Sequence, residues 1–145
     1  MTMFIGEYRH NADKKGRIII PVRFREALGE SIIATKGLDG CIAIYTKSQW
    51  NVILEGLQKL PTTKKESRMY IHMLTARAAL CEFDAQGRIL IPKPLMEDAQ
   101  IDNECVVIGV ADHVEVWAKD RWDSYNASAS ENFEEVAEQL TEFIR

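Results

Sequence analysis

The chain has 145 residues, 46% of them hydrophobic and 28% charged, with a net charge of −4, which gives enough apolar material for one domain or two half-sized ones. No stretch approaches the roughly 18 uninterrupted apolar residues of a membrane span, and the N-terminus lacks the basic, apolar and small-residue zones of a signal peptide, so a soluble cytoplasmic chain is expected. Cys41, Cys81 and Cys105 are odd in number and widely spaced, and His10, His72 and His113 are equally scattered. The cysteines are read as structural thiols, and no metal or cofactor is expected.

Residues 4–11 read as an extended segment and residues 12–16 as a polar turn in which Gly16 supplies a positive φ. Residues 17–20 are the second arm of a predicted β-hairpin. Three consecutive isoleucines predict a strand buried on both faces rather than one alternating between core and water. Pro21 ends that strand and suits the start of a helix over residues 22–28, capped by Gly29. Residues 31–35 and 41–45 flank Leu38-Asp39-Gly40, a strong signal for a second hairpin. Trp50, Ile53, Leu54 and Leu57 are spaced i, i+3, i+4, i+7, which predicts a helix with one apolar face, stopped near Pro61. A second connecting helix is predicted over residues 63–78.

The order then repeats. Asp13-Lys14-Lys15-Gly16-Arg17-Ile18-Ile19-Ile20-Pro21 recurs 71 residues later as Asp84-Ala85-Gln86-Gly87-Arg88-Ile89-Leu90-Ile91-Pro92. Around it come an extended segment at 79–83, a turn at 84–87, a strand at 88–91, a helix after Pro92 or Pro94, and a hairpin of residues 105–110 and 114–117. The exits correspond too, Tyr45 through Trp50 aligning with Trp117 through Trp122 at a shift of 72. The expected division is a first half over 1–50, connecting helices over 51–78, a second half over 79–122, and a C-terminal helix over 123–145. On that helix Phe133, Val136, Ala137, Leu140 and Ile144 form an apolar stripe opposite a glutamate-rich face. Such a stripe packs on the chain's own sheet or against another subunit.

The net charge conceals a division. Residues 1–80 carry 13 Lys or Arg against 7 Asp or Glu, a net +6, while residues 81–145 carry 5 against 15, a net −10. One basic and one acidic face would result, and the basic face could meet a polyanion or be merely solvated.

The repeated Asp-x-x-Gly-Arg has two physical readings. As structure, Asp13 and Asp84 accept backbone N–H bonds across a turn, Gly16 and Gly87 supply the left-handed residue, and Arg17 and Arg88 pair with a carboxylate. As a binding tip, Lys14, Lys15 and Arg17 project as cations, with the arginine able to fork onto a phosphate or a guanine edge. The aspartates and glycines are assigned to structure; the arginines and lysines are candidates for contact. There is no Gly-rich phosphate loop, nucleophile elbow or metal constellation, and no His in the motif, so an enzyme is not expected.

With Phe4-Ile5-Gly6-Glu7-Tyr8, both Asp-x-x-x-Arg motifs, Lys36-Gly37-Leu38-Asp39-Gly40-Cys41 and Val107-Ile108-Gly109 in place, the chain resembles the MraZ family of bacterial transcriptional regulators over nearly its whole length. That family's domains are of the AbrB-like, swapped-hairpin class. The resemblance implies an α+β fold in which two tandem, pseudo-twofold-related half-domains form a small β-barrel, with connecting and C-terminal helices. It implies rings assembled head to tail, and binding to repeated double-stranded DNA sites upstream of the division and cell-wall gene cluster, including the chain's own promoter, in the nucleoid. Lys15, Arg17 and Arg88 fall on positions expected to face DNA. The second copy departs from the first, with Ala85-Gln86 in place of Lys14-Lys15, though Gln86 can still hydrogen-bond a base or phosphate. The expected function is a sequence-specific repressor. The rival is a ring-forming structural or protein-interaction module with only non-specific DNA affinity.

Overall fold

The computed structural model of the chain describes residues 3–144. Strand β1 (Glu7–Asn11) leads through the first Asp turn to β2 (Arg17–Ile19) and helix α1 (Val22–Leu28). Then come β3 (Ser31–Lys36), a single 3-10 turn at Leu38–Gly40, and β4 (Ile42–Tyr45). Helices α2 (Lys47–Leu57) and α3 (Lys65–Ala76) lead into the second half, β5 (Ala79–Glu82), β6 (Arg88–Leu90), α4 (Lys93–Asp98), β7 (Glu104–Val110) and β8 (His113–Ala118). The described chain ends in α5 (Lys119–Glu131), α6 (Phe133–Gln139) and α7 (Thr141–Ile144).

The fold is α+β, built on one six-stranded antiparallel sheet in the order β1-β7-β8-β4-β3-β5 and a separate two-stranded ribbon, β2-β6. The second hairpin of each half forms as the sequence predicts, β3 with β4 around Asp39 at φ 62, and β7 with β8. The first hairpin does not. β1 pairs with β7, β5 pairs with β3, and β2 pairs with β6, so the first arms of each half take partners from the other half. Exchanging β1 with β5, β7 with β3 and β8 with β4 leaves the strand order unchanged.

The predicted barrel is corrected. The edges β1 and β5 do not pair, and the sheet stays open. Pro21 and Pro92 follow the short ribbon strands and carry no N–H to continue the ladder, so the ribbon lies over the core instead of joining the two edges. Ile18, Ile20, Ile89 and Ile91 line its inner face and are almost fully buried against Ile32, Ile42, Ile44, Val107, Val114 and Val116 of the sheet. Phe24 of α1 joins them, with Phe4 and Tyr8 packed edge-on at 5.7 and 5.3 Å between ring centres. The isoleucine run is therefore not buried on both faces. Ile19 is 42% exposed, because a ribbon covering a core has one side in water.

On the opposite side of the sheet Cys41, Val106, Ile108 and Trp117 form a smaller apolar cluster. Helix α3 is tied to this sheet by Thr35, whose buried hydroxyl donates to the Leu74 carbonyl at 2.6 Å. All three cysteines are buried and free, as structural thiols should be. Burial pushes their pKa values up, that of Cys105 to about 11, so they are poor nucleophiles.

The terminal stripe does not pack on the sheet. The first turns of α5 are anchored: Trp122 and Tyr125 stack with Trp117, Trp122 donates its indole N–H to Glu7 at 3.0 Å, and Asp123 accepts from Arg9 at 2.8 Å. From residue 124 to residue 144 every position is exposed.

At the turn of the second hairpin His113 sits between two carboxylates, Asp112 at 2.7 Å and Glu115 at 2.8 Å, with the Tyr45 ring 5.1 Å away. Burial alone would lower the His113 pKa, but the bonds to Glu115 and Asp112 outweigh it and the net shift is upward. A raised histidine contributes stability that is complete below its unfolded value of about 6.5 and is lost as pH rises through the folded value.

Two outcomes follow from this packing. In urea unfolding, Ile18→Ala costs about 2–5 kcal/mol, whereas Ile19→Ala costs well under half as much; equal losses would restore the fully buried strand. Stability of the wild-type chain falls between about pH 6 and pH 9 more steeply than that of His113→Gln, and parallel profiles would remove His113 as the cause.

Candidate nucleic-acid interface

Each repeated turn is closed by its aspartate. Asp13 Oδ1 accepts the backbone N–H groups of Lys15 and Arg17, both at 2.9 Å, and Oδ2 accepts Arg17 Nε. Asp84 repeats the pattern: Oδ1 accepts from Gln86 and Arg88 at 2.9 Å each, and Oδ2 accepts Arg88 Nε at 2.9 Å. These bonds stabilise the ionised carboxylates. The pKa of each aspartate is lowered, first by the backbone N–H of its arginine, against an opposing desolvation.

The two turns interlock. The Gly87 carbonyl accepts the Ile20 N–H at 3.2 Å, and the Gly16 carbonyl accepts the Ile91 N–H at 3.0 Å. Both glycines hold positive φ, 87° and 77°, so the crossing needs a residue free to adopt that conformation. A Cβ at Gly16 would also stand 3.1 Å from the Ile91 carbonyl oxygen.

Ribbon pairing sets Arg17 opposite Leu90 and Ile19 opposite Arg88, around the buried Ile18–Ile89 pair. By strand alternation these four side chains share the outer face. Each arginine spends its Nε on its own aspartate and keeps its two Nη groups at the far end. Among the described residues Arg17 Nη1 and Nη2 have no partner, whereas Arg88 Nη1 also lies 3.7 Å from Asp13 Oδ2. Arg17 is thus the freer of the two. Lys14 and Lys15 are exposed at the first tip and Ala85 and Gln86 at the second.

Two cations that the motif does not contain join these tips from the other half. Arg25 of α1 donates through Nε to the Ile20 carbonyl at 3.0 Å, and its guanidinium occupies the place that a Cβ on Gly87 would take. Lys93 of α4, itself near Glu97, lines one groove with Lys14, Lys15 and Gly16. The second tip lacks lysines and has an arginine laid over it.

The family described as "MraZ protein, putative antitoxin-like" matches the chain twice, over residues 3–72 and 74–144. The chain belongs to the MraZ family. It is similar to proteins named "Transcriptional regulator MraZ" from Ligilactobacillus salivarius (48% identical, covering 97% of this chain and 99% of that one), Desulforamulus reducens (46%, covering 98% and 100%) and Caldanaerobacter subterraneus subsp. tengcongensis (48%, covering 97% and 99%). The two MraZ matches divide the chain between α3 and β5, next to where the sequence repeat divides it.

Of the residues singled out in this MraZ chain, the ribbon brings Arg17 and Arg88 onto one face, with Asp13, Asp84, Gly16 and Gly87 forming the scaffold behind them. Lys14, Lys15 and Gln86 stand at the two tips without a further intramolecular side-chain role. Arg25 escaped the sequence reading because the turn it covers is far along the chain. Its one sequence signal lies in the repeat, where the position 71 residues later is Met96.

Gly87→Ala tests the seating of Arg25. Positive φ alone costs about 1–2 kcal/mol for an alanine. Gly29, at φ 89 with nothing near its missing Cβ, supplies the control. In chemical denaturation Gly87→Ala is expected to lose more stability than Gly29→Ala, and equal losses would mean that Arg25 does not seat on Gly87.

Proposed function

We propose that the chain is a sequence-specific DNA-binding transcriptional regulator that reads duplex DNA with the outer face of the β2–β6 ribbon and its two tips. The observation that carries this reading is the fixed arginine pair. Arg17 and Arg88 are each held at Nε by an aspartate, so that the Nη ends are aimed outward without loss of side-chain freedom on binding. The major groove admits a two-stranded ribbon, and arginine recognises guanine there through O6 and N7. Ile19 and Leu90, exposed beside the arginines, suit the thymine methyl group. Lys14, Lys15, Lys93 and Arg25 supply phosphate contacts, and Gln86 a hydrogen bond to a base or phosphate.

In this reading the two halves are AbrB-like units that have exchanged their first hairpin arms, and one chain serves as a pseudo-twofold reader. The relatives' name supports a regulatory role. We further propose repression of the division and cell-wall gene cluster, the chain's own promoter included, through repeated sites bound by a head-to-tail ring in the nucleoid. A ring that sets adjacent readers on consecutive repeats makes the later contacts intramolecular, raising affinity by roughly 10² to 10⁴.

Fluorescence anisotropy on the chain's own upstream DNA, against a scrambled duplex at near-physiological salt, tests the reading. Arg17→Ala is expected to lose at least about tenfold in affinity for the specific duplex, and Arg88→Ala less. Lys15→Ala weakens both duplexes alike and reduces the salt slope by about 0.9. Unchanged specific affinity in Arg17→Ala would sink the assignment.

A further inference from the structure

We propose that the acidic C-terminal helices of one chain dock on the basic corner between α2 and α3 of the next. The inference rests on the head-to-tail reading above and names its two surfaces. Docked at its root by Trp122 and Asp123, the tail leaves the sheet and makes no return to it: residues 124–144 are all exposed in the single chain. It nevertheless carries large apolar groups. Phe133 is 70% exposed, and Val136, Leu140, Phe143 and Ile144 share its exposure. Short amphipathic helices that bury nothing are marginal in water, so this stripe needs a cover.

Charge decides which cover. The tail holds five glutamates between Glu131 and Ile144 and no basic residue. Two tails packed on each other would bring ten carboxylates together, which disfavours a symmetric contact. The chain carries the complementary surface elsewhere. Residues 58–68 bear Lys59, Lys64, Lys65 and Arg68 against the single acid Glu66, and all four basic side chains are exposed. Beside them α3 turns Met69, Tyr70 and Met73 to solvent while Ser67 and Leu74 face inward, and Val52 of α2 is 58% exposed. An apolar patch rimmed by cations matches an apolar stripe rimmed by glutamates. Because tail and corner are different parts of one chain, the contact is heterologous, the kind that propagates and, with suitable rotation, closes into a ring.

Charge exchange tests it, read by light scattering for mass and by anisotropy for DNA. The wild-type chain of 16.5 kDa is expected to run as a multiple of that mass. The corner variant Lys64→Glu, Lys65→Glu, Arg68→Glu and the tail variant Glu134→Lys, Glu135→Lys, Glu138→Lys each dissociate at least about 100-fold more readily. An equimolar mixture of the two restores assembly, since each altered surface then meets its complement, and that recovery excludes misfolding as the cause of the single-variant loss. A wild-type chain at single-chain mass would remove the ring reading itself. Assembled wild type with unchanged variants would remove only the tail-to-corner contact, as would a mixture that fails to recover. A corner variant that keeps its mass and loses affinity for both specific and scrambled duplex would make the corner a DNA surface and overturn the proposal.

Discussion

One carboxylate, used twice, organises the face on which the proposed function rests. Asp13 accepts two backbone N–H groups and a guanidinium Nε, and Asp84 does the same at the other tip. Those three bonds close the turn and fix the arginine at its base, and the turn they close sets its glycine at positive φ. The glycine carbonyls are then directed at Ile20 and Ile91 across the pseudo-dyad, so neither tip is complete until the other half has folded against it. A duplication within one chain, rather than two independent domains, is what this interlock requires. Charge-assisted bonds to backbone donors are among the stronger of their kind, and here they bear on conformation more than on net stability.

The same geometry explains how a repeat can be symmetric in shape and unequal in charge. Its scaffold residues, Asp, Gly, Arg, the inward isoleucines and Pro, keep their offsets because each has a partner in the other copy. The exposed positions have no such tie, and there the copies differ: Lys14 and Lys15 against Ala85 and Gln86, Arg25 against Met96, Val22 against Lys93. Arg25 and Lys93 belong to one half and stand beside the tip of the other. Charge counted along the sequence therefore misplaces it. The second tip gains a cation from the basic half, and the first tip gains one from the acidic half.

Legibility followed the range of the interactions. The 3-10 turn at Asp39, the hairpins around it and around Asp112, and helices α2 and α3 were readable because turn chemistry and helical spacing are local; the structure moves their ends by only a few residues. The Asp turns were readable for the same reason, down to the roles of Asp13 and Gly16. What the local pattern lacked was the identity of the partner. Phe4 through Asn11 and Arg17 through Ile20 look like two arms of one hairpin, and nothing within that window says that β1 will bond to β7 and β2 to β6. Ile19 was misjudged for a related reason. Three β-branched residues report a preference for strand, but burial of the middle one depends on what lies over the ribbon, and there it meets water. The amphipathic stripe of the tail announced a need for a partner and was silent on which surface would meet it.

That stripe bears on the electrostatics of the whole chain. Among residues 1–130 acidic and basic groups balance, so the net negative charge resides in the tail. A free tail with five glutamates would repel a phosphate backbone approached within the Debye length of about 8–10 Å. Laid on the Lys59 to Arg68 corner of a neighbour, those glutamates are neutralised by cations that do not belong to the ribbon face, and the ribbon cations are left to act on DNA alone. Assembly and DNA affinity are then coupled through charge as well as through avidity, and the acidic composition of the second half ceases to argue against a polyanionic partner. A chain of net −4 can bind DNA because its acids are committed to its neighbours.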